Sequence, residues 1–318
     1  MMVRKTRTVL FIILVFNLGG FLPLTQAQSS LFNFDMSEVD WKSLLFKSDN
    51  FIGSVTTKAV LEEVPVAGID DMLIASPQGV VLKPAGTKVL IVTINSAIVS
   101  PIGPDELLVT RVWFTPQEAA ALQRIRLRKG KEKWEKTYRW TEDGVYRLRI
   151  KPKGAEEEEL SLERWTDIEN SFYPYDLAQS KCGSVSEPAA LLYVVSAAGL
   201  AVGDPPLHLC VFNKKQLHLV RVRAEKYQFL KINYLEKSQH KESRRNGTAE
   251  VLKISFTSRS LFADEAKTEP FSFLGLKGDF DIFIDKVSKI PVQVSGKIPR
   301  IGRVDIKLRE ISLWQGSR

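Results

Sequence analysis

Three aspartates near the end of the chain have a spacing that carboxylate chemistry uses. Asp279, Asp281 and Asp285 fall on one face of a predicted strand, where successive carboxylates lie about 7 Å apart. Glycoside hydrolases and calcium sites both employ carboxylates at such distances. No partner acid and no Gly-rich calcium loop accompanies them, and exposed strand faces show the same spacing far more often. A glycan-active enzyme that uses Asp279 and Asp281 is therefore an alternative to the main interpretation.

The histidines and the remaining sequence motifs predict no catalytic centre. His208 and His218 belong to two strands of a predicted hairpin, but the sequence offers no third ligand for a metal ion. The chain contains no Ser-centred nucleophile elbow, no phosphate-binding loop and no Cys–His arrangement. We therefore assign no catalytic residue, no metal site and no cofactor from the sequence.

A strongly basic stretch spans residues 124–153, with twelve Lys or Arg against four acids. Strand alternation places the aromatic residues Trp134, Tyr138 and Trp140 on one face, opposite most of the charge. We interpret the basic residues as the solvated exterior of amphipathic strands whose aromatic residues enter the core. The alternative is a basic face for anionic lipid headgroups, glycans or another envelope protein. Its residues would be Arg124, Arg126, Arg128, Arg147 and Arg149.

Cys182 and Cys210 are the only cysteines, and they lie on either side of a predicted buried helix. A lone pair of cysteines in an oxidising compartment favours a disulfide. Two separate buried thiols are the alternative, because Cys210 falls in an apolar strand.

The first residues predict export. A basic start is followed by an unbroken apolar run from Val9 to Phe16 and by a small-residue cleavage site that ends at Ala27. A membrane-spanning helix needs about 20 apolar residues, and polar residues and glycines interrupt this run too early. We therefore expect a signal peptide, residues 1–27, that is cleaved after Ala27 and leaves no stable transmembrane anchor. The mature protein would be periplasmic or secreted.

The charge of the mature chain is modest. The formal net charge of +8 includes three positive residues of the signal peptide, which leaves about +5 after cleavage. Such mild basicity suits an envelope rich in anionic polymers, whereas an exported chain is not expected to bind nucleic acid. We predict a lead-in at 28–50, a single β-rich domain at 51–314 and a tail at 315–318.

The centre of the chain predicts one buried helix followed by a hairpin. Residues 189–200 are apolar around the whole helical circumference apart from Ser196, so neighbouring elements must cover nearly every side of the helix. A Gly/Pro break at 203–206 precedes two strands, 207–212 and 217–223.

Other local patterns predict the flanking elements. A helix is expected at 37–46, and a capping box with Pro116 predicts a second at 115–122. Asn246-Gly247-Thr248 matches a glycosylation acceptor, but we interpret it as part of a charged hairpin tip at 238–250. A change of phase predicts a bulge near Arg309. Strands are predicted at 51–60, 79–83, 89–94, 107–114, 124–128, 134–140, 145–150, 227–235 and 251–257.

Ten residues in the second half of the chain, together with the order of these elements, match a known pattern: Gly203, Asp204, Val220, Arg221, Val222, Arg223, Asp285, Pro291, Val292 and Gly302. In these features the chain resembles the exported bacterial family catalogued as domain of unknown function 3108. Asn213-Lys214-Lys215 stands where that family usually has a Gly-rich turn. The resemblance implies an exported protein of unknown function and carries over no catalytic residues.

We expect a mainly β (α+β) fold, in which a large curved antiparallel sheet, or half-barrel, packs around the central apolar helix. Such a sheet tends to leave an apolar concavity, the usual position of a ligand. The leading hypothesis is a non-enzymatic cell-envelope protein that binds a lipid-like or amphipathic ligand; an envelope assembly or scaffold protein with a protein partner is the alternative. The residues expected to line the concavity are Trp134, Tyr138, Trp140, Leu192 and Val195.

Overall fold

The structure is a computed structural model that describes residues 33–50, 53–84, 86–99, 105–175, 182–239, 241–261, 269–299 and 301–314. The predicted signal peptide, His240 and the predicted tail at 315–318 lie outside the described residues. All described elements belong to one compact unit, Leu31–Arg318.

Sixteen strands of the described residues form one sheet. They are β1 (Trp41–Asn50), β2 (Gly53–Pro65), β3 (Lys88–Val99), β4 (Glu106–Phe114), β5 (Ala121–Lys129), β6 (Trp134–Trp140), β7 (Gly144–Lys151), β8 (Asp167–Pro174), β9 (Val185–Ser186), β10 (Leu207–Asn213), β11 (Gln216–Lys237), β12 (Glu242–Ser260), β13 (Ser272–Phe273), β14 (Leu276–Asp285), β15 (Pro291–Ile298) and β16 (Gly302–Leu313). The described helices are α1 (Ala155–Glu158), α2 (Leu191–Ala197) and short 3₁₀ helices at Met36–Glu38, Ile69–Met72, Leu162–Arg164 and Pro188–Ala190.

The sheet is largely a meander, and the first and last strands, β1 and β16, are neighbours in the middle of the strand order. Its strand order is β8-β7-β6-β5-β4-β3-β2-β1-β16-β15-β14-β12-β11-β10-β9, with β13 paired only to β14. Neighbouring strands are antiparallel except for the parallel pairs β9–β10 and β11–β16. The predicted fold class, a mainly β protein with one large sheet and one central helix, is confirmed.

The pairing of β11 with β16 closes a ring of strands. Leu235 of β11 lies opposite Glu310 of β16, so β11, β12, β14, β15 and β16 form a closed circuit. The two longest strands, β11 and β12, extend the hairpin to Lys237 and Glu242. The predicted hairpin tip at 238–250 is therefore too long: the chain turns between Lys237 and Glu242, and Asn246-Gly247-Thr248, predicted as a turn, lies within β12. Backbone pairing continues there although the side chains are polar, so hydrophobic alternation did not reveal it.

The predicted central helix is present and is completely covered. A 3₁₀ turn at Pro188–Ala190 leads into α2, and every residue of both is buried. Glu187 caps the start, because its carboxylate accepts a hydrogen bond from the amide of Ala189. Ser196, the polar exception, accepts a bond of 3.0 Å from Trp41 Nε1 and donates one of 2.9 Å to the carbonyl of Lys289.

No helix among the described residues combines the length and the apolar character that crossing a membrane would require.

Both predicted flanking helices are wrong. Residues 37–46 form the end of a 3₁₀ turn and then β1, because Leu44, Phe46 and Ser48 are buried with a period of two between β2 and β16. The capping box at Thr115 closes a tight turn instead: its amide donates to the carbonyl of Ala120, and Ala119 has a φ of 50°. β5 begins directly after that turn.

The remaining strand predictions have different outcomes, and the strands with clear alternation of apolar and polar residues are confirmed. The three strands β5, β6 and β7 are confirmed, as is the bulge near Arg309, where β1 skips one residue of β16 between Glu310 and Leu308. The predicted strand 79–83 is reduced to one bridge between Val81 and Thr141. The expected lead-in also contains β1, which lies in the middle of the sheet.

Candidate functional site

The residues expected to line a concavity are mostly packed interior side chains. Leu192 and Val195 are 0% and 1% exposed and lie in the main core around α2. Tyr138 and Trp140 are 4% and 0% exposed and pack with Phe212 in a second core cluster. The predicted cavity is therefore filled at these positions. Trp134 is half-buried and lies apart from both clusters.

The basic residues share a face with these aromatic residues, which corrects the predicted separation of charge from core. Arg124 of β5 pairs in register with Tyr138 of β6 and, beyond it, Arg147 of β7. Directly paired residues point to the same face of a sheet. Alternation within β6 was predicted correctly. The register between strands, however, brings Arg124 and Arg147 to the face that carries Tyr138 and packs against the core, which we call the inner face. There the two arginines are only 2% and 4% exposed.

A buried ion pair connects β5 with the start of the central helix. Arg124 Nη1 donates to Glu187 Oε1 at 2.8 Å, and the guanidinium lies 4.1 Å from the ring centroid of Tyr138. The other carboxylate oxygen of Glu187 accepts the amide of Ala189 at 2.6 Å. Arg124 thus holds the carboxylate that caps the helix.

The bases on this face, together with Lys215 of the turn between β10 and β11, form a cluster that we call the inner basic cluster: Arg124, Arg126, Lys136, Arg147, Arg149 and Lys215. Burial, followed by the positive charge of Arg124, lowers the pKa of Arg126 to about 10. Burial and the positive charges of four neighbouring bases lower the pKa of Lys136 to about 8. The fifth predicted basic residue, Arg128, is separate because it pairs with Glu106 and Glu132.

A different concavity lies between the long hairpin and the last two strands. This hairpin cleft has a volume of about 400 Å³. Sequence reasoning missed it because its walls come from four strands, β11, β12, β15 and β16, and the last two are far in the chain from the hairpin. Its apolar side chains are Leu230, Ile232, Val292 and Leu308, and its basic residues are Lys231, Lys307 and Arg309.

The aspartates of β14 are occupied by structural interactions. Asp281 is 8% exposed, accepts hydrogen bonds from Ser255 and Arg303, and lies 3.3 Å from Lys253 Nζ. Asp279 accepts the amide of Ser258 at 3.3 Å. Asp285 caps the turn that follows β14 through the amides of residues 287 and 288. Each carboxylate thus already has structural partners.

The two described histidines are not brought together. His208 is exposed, whereas His218 is 3% exposed and lies edge-on to Phe271 at 5.4 Å. Burial, followed by the charge of Lys214, lowers the pKa of His218 to about 4. Across the described residues, no group of three or more His, Cys, Asp or Glu side chains is arranged to hold a metal ion.

The structure joins Cys182 and Cys210 in a disulfide, as predicted, with their Cα atoms 5.8 Å apart. The bond joins β10 to the segment that precedes β9, next to the second core cluster.

No family model matches the chain, and no curated protein matches it. Among solved structures, the chain is similar to a beta-barrel-like protein of domain of unknown function DUF1849 from Brucella abortus. The two chains are 7% identical, the TM-score is 0.43, and the match covers 87% of this chain and 99% of that chain.

Proposed function

We propose that this is an exported, non-enzymatic protein of the cell envelope that binds an amphipathic molecule with an apolar chain and an anionic group. The hairpin cleft is the proposed binding site. The observation that carries this proposal is the combination of apolar and basic side chains around one open concavity.

The apolar walls of the cleft can bury a hydrocarbon chain. Leu230 and Ile232 are partly buried against the main core, whereas Val292 and Leu308 are 4% and 2% exposed. Covering apolar surface contributes about 25 cal/mol per Å². The cleft volume of about 400 Å³ falls within the usual range for small-molecule sites.

The basic residues of the cleft suit an anionic headgroup. Lys231, Lys307 and Arg309 are exposed. No ion pair is found for these three within the part of the chain that the structure describes. An anion held beside them would gain charge-assisted hydrogen bonds that a neutral ligand lacks.

Export and membership of the family of domain of unknown function 3108 are part of the same proposal. A disulfide between Cys182 and Cys210 is compatible with an oxidising compartment. The basic and apolar start of the chain supports a signal peptide cleaved after Ala27. The structural use of Asp279 and Asp281 favours a binding protein over a glycan-active enzyme.

Native mass spectrometry of the mature protein, purified from its own envelope without detergent, tests the proposal. We expect a bound amphiphile of defined mass. Thr248→Trp would fill the cleft and remove the adduct, and Thr257→Trp is the matched control because Thr257 is exposed on the same strand outside the cleft. The same variants would be titrated with 1-anilinonaphthalene-8-sulfonate, an anionic apolar probe. A mass without adduct, together with equal probe binding by all three proteins, would contradict the proposal.

A further inference from the structure

The inner basic cluster carries more positive charge than its described neighbours neutralise. Among the described residues, three acids act on its six bases: Glu187 pairs with Arg124, Glu169 pairs with Arg147 and Arg149, and Glu269 interacts electrostatically with Lys215. Within the described residues, Arg126 and Lys136 have no ion pair of their own. These two adjacent bases therefore lack a paired counter-charge.

The sheet register concentrates these charges. Arg126 of β5, Lys136 of β6 and Arg149 of β7 pair directly across neighbouring strands, so their side chains form one row on the inner face. Lys136 Nζ lies 4.1 Å from the ring centroid of Trp134, and the Arg126 guanidinium lies 5.7 Å from it. The aromatic ring faces both cations and supplies no formal negative charge.

The turn between β10 and β11 adds charge from the other side. Phe212 at the end of β10 packs on Tyr138 and Tyr173, with centroids 6.2 Å and 5.8 Å apart. Lys215, three residues later, is exposed in this turn, and its positive charge is among those that lower the pKa of Lys136. The cluster is therefore bounded by β5–β7 on one side and by this turn on the other.

Several buried donors of the cluster also lack partners. Arg124 is 2% exposed, and its Nε and Nη2 atoms have no hydrogen bond. The Nε atoms of Arg147 and Arg149 are likewise buried without one. Buried donors are normally satisfied, and guanidinium groups match the oxygen geometry of phosphate in particular.

We propose that the inner basic cluster is a binding site for a phosphate-type oxyanion with two or more negative charges. Arg126 and Lys136 supply the unneutralised charge, and the buried arginine donors satisfy oxygen atoms of the ligand. This site is separate from the hairpin cleft and does not rest on the function proposed for it. Two sources share the chemistry: a free anion such as pyrophosphate, and the phosphomonoester headgroup of a lipid.

Calorimetric titration of the full mature protein with pyrophosphate in phosphate-free, low-salt buffer tests the site. We expect wild-type binding and an increase in Kd of at least about tenfold for Arg126→Gln/Lys136→Gln, because two charged donors are lost. The matched control is Arg221→Gln/Arg223→Gln, which removes the same charge from exposed positions of β11 and should leave Kd unchanged.

The melting temperature distinguishes anion binding from a purely structural role of Arg126 and Lys136, because loss of a structural role would lower the melting temperature even without anion. Without anion, the double variant should melt no lower than wild type, since like charges have been removed; with pyrophosphate, only wild type and control should gain stability. Competition by pyrophosphate against phosphatidic acid vesicles identifies a lipid headgroup as the source, and failure to bind vesicles identifies a free anion. A wild-type Kd weaker than about 1 mM, or equal Kd values in both double variants, overturns the proposal.

Discussion

Arg124 and Glu187 form an ion pair of 2.8 Å in which both residues are almost fully buried, at 2% and 3% exposure. The pair joins the inner face of β5 to the cap of the central helix. Removing one partner leaves the other charge buried without compensation, which is among the most destabilising changes a core can suffer.

Glu187→Ala should therefore lower the free energy of unfolding by about 3–5 kcal/mol. Urea denaturation of wild type and variant measures the difference. Glu106→Ala is the matched control: its partner Arg128 lies at 2.6 Å, but both side chains are more than a quarter exposed. The control should cost no more than about 1 kcal/mol. Equal losses of unfolding free energy in the two variants would show that burial does not determine how much an ion pair contributes to stability.

Ser196→Ala should destabilise the protein by about 1–3 kcal/mol, because the buried Trp41 Nε1 and the carbonyl of Lys289 would both lose their partner. A double-mutant cycle with Trp41→Phe isolates the bond from the loss of packing. We expect a coupling energy of at least about 0.5 kcal/mol in urea denaturation. Strictly additive single changes would mean that the bond contributes nothing.

The stability of the protein should fall as the pH drops from about 6.5 to about 4. The buried His218 has a folded pKa of about 4, below its ordinary value of 6.5, so the unfolded chain binds more protons in this window. The neutral, buried His218 contributes at most about 3 kcal/mol to the free energy of unfolding. This contribution is fully present above pH 6.5 and is lost as the pH falls towards about 4. Denaturation midpoints across this range measure the loss.

His218→Met should flatten this pH dependence, and His208→Gln, at an exposed position, should retain it. The prediction fails if both variants keep the wild-type profile between these pH values.

Loss of the disulfide should cost about 3–4 kcal/mol in the chain-entropy model, since Cys182 and Cys210 are 28 residues apart. Cys182→Ser/Cys210→Ala and wild type treated with dithiothreitol should show the same lower midpoint in urea. The intact protein should also be lighter than the reduced one by two hydrogens in mass spectrometry. A midpoint insensitive to reductant would indicate that the bond does not constrain the unfolded chain.

The sequence predicted those features that local alternation determines. The three strands around Tyr138, the buried helix and the bulge at Arg309 follow from side-chain patterns within single segments. Alternation could not place Arg124 beside Tyr138, because the register between two strands depends on backbone pairing across the sheet. The turn at Thr115 was mistaken for a helix start because its capping hydroxyl accepts the amide of Ala120 instead.

The hairpin cleft was missed for a related reason. Leu230, Val292 and Leu308 belong to three strands, and only the closed circuit of β11, β12, β14, β15 and β16 brings them together. Their individual patterns are those of ordinary amphipathic strands. No motif in any one segment distinguishes residues that line an open cleft from residues that fill a core.

The pairing of β1 with β16 determines when the sheet can be completed during synthesis. Trp41 leaves the ribosome long before Leu313, yet the two residues pair across the middle of the sheet. Contacts between such distant segments form slowly, because they require closure of a very long loop. Until β16 is made, β1 and β15 each keep an open edge, which is a template for aggregation. Synthesis of β16 therefore gives both of these edges their hydrogen-bonding partner.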